Sequence, residues 1–274
     1  MNLFTSSRLP SLRQTVLLAP SHTAARGTHG KARHNGSEHR RLLEEAQRLR
    51  GRIYLADGAI DPHQLTESGR HVQAADQRSF HLLSLNSEGR VVACTRYLPH
   101  ANTVEFGRLN VAQSPLTTNG RSRPLLERAV DRELVRARYL GYGYVEVGGW
   151  AITEELRGTT EAVRMVVTIY ALARVLGGAL GISTVTKRHA SSSILRRLGG
   201  APLTAGAEEL SPYYDPSYNC EMEILRFDSD CPSRNYESAV RRCQDALVHI
   251  PLVAPEPTDL SVAMQGRLTA NATA

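Results

Sequence analysis

Aromatic residues make up only 5% of the 274-residue chain, with one tryptophan and four phenylalanines. Nucleic-acid binding draws on aromatics interleaved with basic groups, so this scarcity counts against it. Cysteines are few and dispersed: Cys94, Cys220, Cys231 and Cys243 form no CxxC pair, and the histidines show no HxxxH spacing. A zinc site is unsupported and no metal is expected. Without a credible secretory signal, four scattered thiols suit a reducing cytoplasm. No stretch is long and apolar enough to span a bilayer. The GxGxxG fingerprint of dinucleotide binding is missing, and so is any internal repeat.

Acidic side chains are absent from residues 1–37, which hold Arg8, Arg13, Arg26, Lys31 and Arg33. That segment carries +5 of the formal +6, so the basicity does not belong to the rest of the chain. Its single short apolar run, Val16–Ala19, is too short to span a membrane. The composition predicts a disordered basic tail over 1–37, one folded domain over 38–250 and a flexible tail over 251–274.

Between the tails the patterns alternate. Leu42, Leu43, Ala46 and Leu49 recur at helical spacing over 38–55, with Ser37 available as a cap. SFHLLSLN and RVVACTRYLP, joined by SEG, read as an antiparallel hairpin. An amphipathic helix opens at Pro124 and stops at Gly141. A strand over about 142–152 follows, and then a helix that is apolar nearly all round, EAVRMVVTIYALARVLGG. ALGISTVTK, SSSILRRLGG, CEMEILRF and NYESAVRRCQDALVH read as strand, short helix, strand and closing helix. A strand–helix–strand crossover inside an otherwise antiparallel sheet predicts a mixed, mostly antiparallel, twisted α/β sheet flanked by helices.

The strand YVEVGGWAI asks most of the chemistry. Alternation places Tyr144, Glu146, Gly148 and Trp150 on one face, with Val145, Val147, Gly149 and Ala151 against the apolar helix. Glu146, partly withdrawn from water, suits a general base taking a proton from an amine, or a salt bridge to an arginine. Gly148-Gly149 implies a bulge, a bend, or the close approach of another backbone or ligand. Arg157-Gly158-Thr159-Thr160-Glu161-Ala162 opens a helix, whose free N–H groups favour anions. Arg96 shares a strand face with Cys94 and Leu98, and a guanidinium there needs a carboxylate: Glu146 or a substrate would serve. Lys187 and Arg188, ending the next strand, are a solvated turn or a dock for an acidic partner.

Arg157, Thr160 and Ala162 resemble the (R/Q)-x-x-G-x-(G/A) pyrophosphate-binding signature of the GNAT N-acyltransferases, with Thr160 in place of its glycine. Within that superfamily the chain is most similar to the acyl-homoserine-lactone (autoinducer) synthases. Arg50-Gly51-Arg52-Ile53-Tyr54 resembles their R-x-x-V-F pattern, Asp76 their aspartate before the first long strand, and Arg96 the arginine of the next. Val145–Ile152 resembles their W-E-L-S-R-F-A-V strand, which places Glu146 on the family's glutamate. Gly148-Gly149 replaces their Ser-Arg, Ala59 stands near their tryptophan, and Gln73 near an earlier aspartate.

The resemblance implies a bacterial GNAT-like N-acyltransferase with no permanently bound cofactor. Acyl-CoA or acyl carrier protein would be its co-substrate, and a small amine its acceptor. It also implies Glu146 as base, with the backbone near Trp150 facing the developing oxyanion. Arg50, Tyr54, Asp76, Arg96, Gly148 and Gly149 would sit at the substrate. Arg157, Gly158, Thr159, Thr160 and Ala162 would face the donor phosphates, and Lys187 and Arg188 a carrier protein. An acetyl-CoA-dependent small-amine acetyltransferase and a non-catalytic acyl-ligand module are the alternatives.

Overall fold

The structure, a computed structural model, describes residues 15–21 and 32–255. Helix α1 spans Gly36–Ala56 and buries Leu42, Leu43, Ala46, Leu49 and Ile53 along one face. Its cap is Asn35, whose side chain accepts from the Glu38 amide at 3.0 Å, while Ser37 bonds to Asn35 instead of capping. Strands β3 (Phe80–Leu85) and β4 (Val91–His100) form the expected hairpin. Helix α2 (Ser122–Leu140) ends at Gly141, whose φ of 68° releases the chain into β5 (Gly143–Ile152). Helix α3 (Glu161–Val175), β6 (Ala179–Thr186), α4 (Ser191–Leu198), β11 (Cys220–Asp228) and α5 (Glu237–Leu247) complete the predicted order. Short strands β7 (Ala201–Pro202), β8 (Thr204–Ala205), β9 (Glu208–Glu209) and β10 (Tyr213–Asp215) lie between α4 and β11.

The main sheet runs β10-β11-β6-β5-β4-β3 and continues into strands from both ends of the chain. Here the expected boundaries need correction. Thr15–Leu18 is a strand, β1, paired antiparallel with β3 and parallel with β12 (Leu252–Ala254), which in turn pairs with β2 (Ala32–His34). The run Val16–Ala19, most of β1 and the residue after it, is buried on both faces: Val16 and Leu18 pack with α1, Leu17 and Ala19 with α3 and α5. Four apolar residues beside two backbone partners suffice to order a stretch that composition alone assigns to a tail. The remaining tail residues, 1–14, 22–31 and 256–274, lie outside the described residues.

Helices α1 and α2 cover one face of the sheet, and α3 and α5 the other. Arg164 pins α3 to the sheet: it pairs with Glu161 and donates to Thr15 Oγ1 at 2.6 Å and Ser84 Oγ at 3.0 Å. Among the described residues, no helix is long and apolar enough to cross a membrane, and no His, Cys, Asp and Glu cluster could hold a metal ion. All four cysteines are free thiols, with only Cys231 exposed.

Candidate active site

The site exists because β5 and β6 part company. Their parallel pairing covers Gly143–Glu146 against Ala179–Ile182 and then stops. Beyond that point the two strands splay around a cavity of about 980 Å³, with Val147–Ile152 on one wall and Ser183–Thr186 on the other.

On its other edge β5 carries a bulge. Cys94 pairs with Ala151 but Arg96 with Gly148, so Gly149 and Trp150 together oppose Thr95. Gly149 has φ of 63°, and a Cβ there would stand 3.0 Å from Arg50 Nη1. Glycine is therefore required by both the turn and the packing. The bulge also corrects the expected alternation. Val145 and Val147 do face α3, but Ala151 packs on the α1 side with Cys94, and Ile152 turns to α3.

Glu146 keeps its expected face and lines the cavity. Its partner is no arginine. Oε2 accepts from His100 Nε2 at 2.9 Å, the Asn110 amide at 2.9 Å and Asn110 Nδ2 at 3.0 Å, while Oε1 accepts from the Val111 amide at 2.9 Å. A carboxylate offers about four acceptor positions, so Oε1 is the oxygen with capacity to spare.

Arg96 likewise finds a partner other than Glu146. Its Nη1 donates to Gln73 Oε1 at 2.6 Å and Asp76 Oδ1 at 2.9 Å. Asp76 also receives Arg50 Nη1 and Nη2 at 2.9 and 2.6 Å, Gln47 Nε2 at 3.0 Å and the Gln73 amide at 3.1 Å. Two guanidinium groups around one carboxylate leave one positive charge in excess. Burial alone would raise the Asp76 carboxyl, but the hydrogen bonds and charge of Arg50, with Arg96, hold it well below the carboxylate range. Arg50 is 1% exposed and lies behind the cavity wall; Arg96, with its side chain 11% exposed, is the guanidinium that lines the cavity, together with Gln73. The Nη2 of Arg96 lies 3.8 Å from where a Cβ on Gly148 would stand.

Tyr54 packs edge-on to His71 and to Tyr218, with centroids 5.6 and 6.4 Å apart, and donates to the Trp150 carbonyl at 3.2 Å. Trp150 lines the cavity, and its buried Nε1 has no partner among the described residues. The segment before α3 and the first turn of α3 line the cavity through Arg157, Gly158 and Ala162. Arg157 pairs with Asp57 at 3.1 Å, Thr159 Oγ1 receives the Glu161 amide at 3.2 Å, and Thr160 is the N-cap residue without a side-chain cap. Lys187 and Arg188 do not form an open basic dock. Lys187 pairs with Glu221 at 2.9 Å, and Arg188 donates to the carbonyls of Asp57 and Asn219.

His100, Asn110, Tyr218, Ser114 and Tyr213 escaped the sequence reading. A signal existed for His100, which alternates onto the face of Arg96 and Leu98, beside Glu146. The others come from loops and a short edge strand whose positions follow only from the tertiary fold.

No protein-family model and no curated protein matches the sequence. Among solved structures, BjaI, a CoA-dependent acyl-homoserine lactone synthase solved with MTA, superposes with a TM-score of 0.52 at 15% identity, over 92% of this chain and 99% of that one. The same protein with SAM and isopentyl-CoA gives 0.51 over the same shares. The chain has the fold of an acyl-homoserine lactone synthase. That fold is the GNAT-like mixed α/β architecture expected from the sequence, and the long β5, the splay and the Arg96–Asp76 pair are built upon it.

Proposed function

We propose that the protein is an N-acyltransferase that moves an acyl group from a thioester to the amine of a carboxylate-bearing, amino-acid-like acceptor. The observation that carries this reading is one cavity with Glu146 on a wall and the spare positive charge of Arg96 beside Gly148. The acceptor carboxylate docks on Arg96, which places its amine toward Glu146. Oε1 of Glu146 takes the amine proton, directly or through water, and the nitrogen attacks the thioester carbonyl carbon. The tetrahedral oxyanion meets backbone N–H groups of the bulged Gly148–Trp150 segment. Collapse breaks the carbon–sulfur bond, forms the amide and returns the proton to the leaving thiolate.

Acyl-CoA and acyl carrier protein both fit as donors, their phosphates meeting the start of α3 near Arg157 and Ala162. The cavity volume favours a medium or long acyl chain over acetyl. Arg157 pairs with Asp57, so donor phosphates would compete with that carboxylate; the second reading is a module that holds an acyl ligand without turnover.

The test is mass spectrometry of extracts from a bacterial host expressing the wild type or Glu146→Gln. A new N-acyl species present only with the wild type is the expected result. Production undiminished by the variant would remove Glu146 as the base, and no product from either would shift weight to the binding module.

A further inference from the structure

One carboxylate on the cavity wall has no counter-charge. Among the described residues six carboxylates are buried, and five of them, Asp76, Glu133, Glu161, Glu223 and Asp228, pair with an arginine. Asp215 is the sixth. It is 5% exposed and lines the cavity, yet no ion pair reaches it from the described residues. Its Oδ1 accepts one bond, from the Ser217 amide at 2.9 Å, and Oδ2 accepts none. Oδ2 also keeps some open surface, unlike fully shielded orphan atoms such as Trp150 Nε1. Arg188, at the end of β6, spends its guanidinium on the carbonyls of Asp57 and Asn219. Burying an unpaired carboxylate is costly, so the missing partner points to whatever fills the cavity.

The position of Asp215 says which part of a ligand it meets. It ends β10 two residues after Tyr213, which packs in the core under α2, so both side chains leave the same face of the sheet. Glu146 leaves that face too, two residues after Tyr144 of the same core. The turn after Asp215 carries Tyr218, whose amide donates to the Asp215 carbonyl at 3.2 Å. The Tyr218 phenol accepts from Gln73 Nε2 at 3.3 Å, and Gln73 Oε1 accepts from Arg96 at 2.6 Å. Asp215 and Arg96 thus belong to one side of the cavity, joined through Tyr218 and Gln73, with the rings of Tyr218 and Tyr54 alongside.

We propose that Asp215 binds a second basic group of the acceptor, an ammonium or guanidinium that is not the amine being acylated. This rests on the N-acyltransferase reading and narrows its acceptor to diamino acids and other basic amino acids. Arg96 brings one positive charge in excess and Asp215 one negative charge. A ligand with a carboxylate at one end and a cation at the other leaves neither of them unpaired. An acceptor with a single amine satisfies Arg96 and Glu146 and leaves Asp215 as bare as before. An N–H of the cation donates to Oδ2, which adds a charge-assisted hydrogen bond to the attraction.

Trp150, the only tryptophan of the chain, lines the cavity and reports binding by its fluorescence. The probes are L-ornithine, L-lysine and L-arginine, whose basic groups stand at increasing distance from the carboxylate. L-Norleucine, with an apolar chain of similar length, is the control, and each is titrated with and without coenzyme A. At least one basic amino acid should bind the wild type about tenfold more tightly than norleucine. Asp215→Asn keeps the oxygen that the Ser217 amide needs. It should erase the preference while leaving norleucine's affinity unchanged and the melting temperature unchanged or raised, because it removes an unpaired buried charge. Equal binding of all four amino acids by the wild type, or a preference that survives Asp215→Asn, would overturn the Asp215 subsite alone. Absence of binding by every amino acid, with and without coenzyme A, would overturn the acceptor reading and the subsite with it.

Discussion

His100 Nε2 and Glu146 Oε2 are 2.9 Å apart across neighbouring strands, with the two side chains 6% and 11% exposed. The same oxygen also takes two bonds from Asn110, so the carboxylate is clamped at Oε2, while Oε1 holds a single bond, from the Val111 amide. A base held in one orientation spends no rearrangement at the moment of proton transfer. Glu146→Gln should therefore lower kcat by about 10²-fold or more while the fold persists, since the amide keeps the shape and loses the basicity. His100→Asn should cost less, on the order of tenfold, because Asn110 and Val111 still hold the carboxylate. Steady-state kinetics on both variants, with melting curves, checks the order of the two effects; an unimpaired Glu146→Gln would sink the assignment.

The paired glycines make opposite predictions. A Cβ on Gly148 meets only Arg96 Nη2, at 3.8 Å, an ordinary contact on the cavity side. Gly148→Val should fold normally and raise the KM for the acceptor without a matching loss in kcat. At Gly149 the φ of 63° and the 3.0 Å approach to Arg50 make any side chain strained. Gly149→Ala should destabilise the protein by about 1–3 kcal/mol. Denaturant titrations of the two variants should separate them cleanly, and equal stabilities would contradict the bulge.

Asp76 is the carboxylate shared by Arg50 and Arg96. Its removal would leave two guanidinium groups unpaired, one of them 1% exposed. Asp76→Ala should therefore cost about 3–5 kcal/mol, the usual result of breaking a buried ion pair from one side. Urea unfolding measures this, and a loss below about 1 kcal/mol would show that water replaces the carboxylate.

How far this was legible in the sequence depends on what each inference needed. The helix stripes, the hairpin and the β5–α3–β6 crossover were readable because periodicity of 3.6 or 2 is local. Glu146 stood out as a carboxylate among valines, and Arg96 as a cation that must be paired. Its partner was not legible, because Asp76 lies 20 residues away and arrives through a short 3-10 turn. The bulge at Gly149 was suspected from the glycines, but its effect on the faces of Ala151 and Ile152 required the register. Strand β1 was missed because four apolar residues in a basic, acid-free segment look like a tail until their neighbours are known.

That strand can be tested directly. Leu18 is 0% exposed and packs with Leu42, Leu83 and Val253 in the core under α1. Leu18→Ala should destabilise the domain by about 2–5 kcal/mol, as truncations in a closed core do. A change within about 0.5 kcal/mol in urea would mean that residues 15–18 are dispensable to the fold.

Stability should also fall in mild acid, and the histidines around Asp76 say where. Burial, with Arg50 nearby, lowers the His71 imidazole from 6.5 to about 4. Burial likewise lowers His81 to about 4, although its Nε2–H donates to the carbonyl of Asp76 at 2.8 Å. Each folded value lies below the unfolded one, so the unfolded chain binds more protons between them and stability rises with pH across that window. The contribution is fully present above about pH 6.5 and is lost as pH drops toward 4. Asp76, held low in the folded protein, adds proton uptake on unfolding only toward the acid end of this range and with the same sign. Urea midpoints should therefore decline from pH 7 to pH 4.5, with up to about two extra protons taken up on unfolding from these two groups. His71→Phe, which keeps a ring against Tyr54, should flatten the slope by up to one proton. A midpoint that does not move with pH would mean that both imidazoles are protonated inside the folded protein, beside two guanidinium groups, against the burial the structure shows.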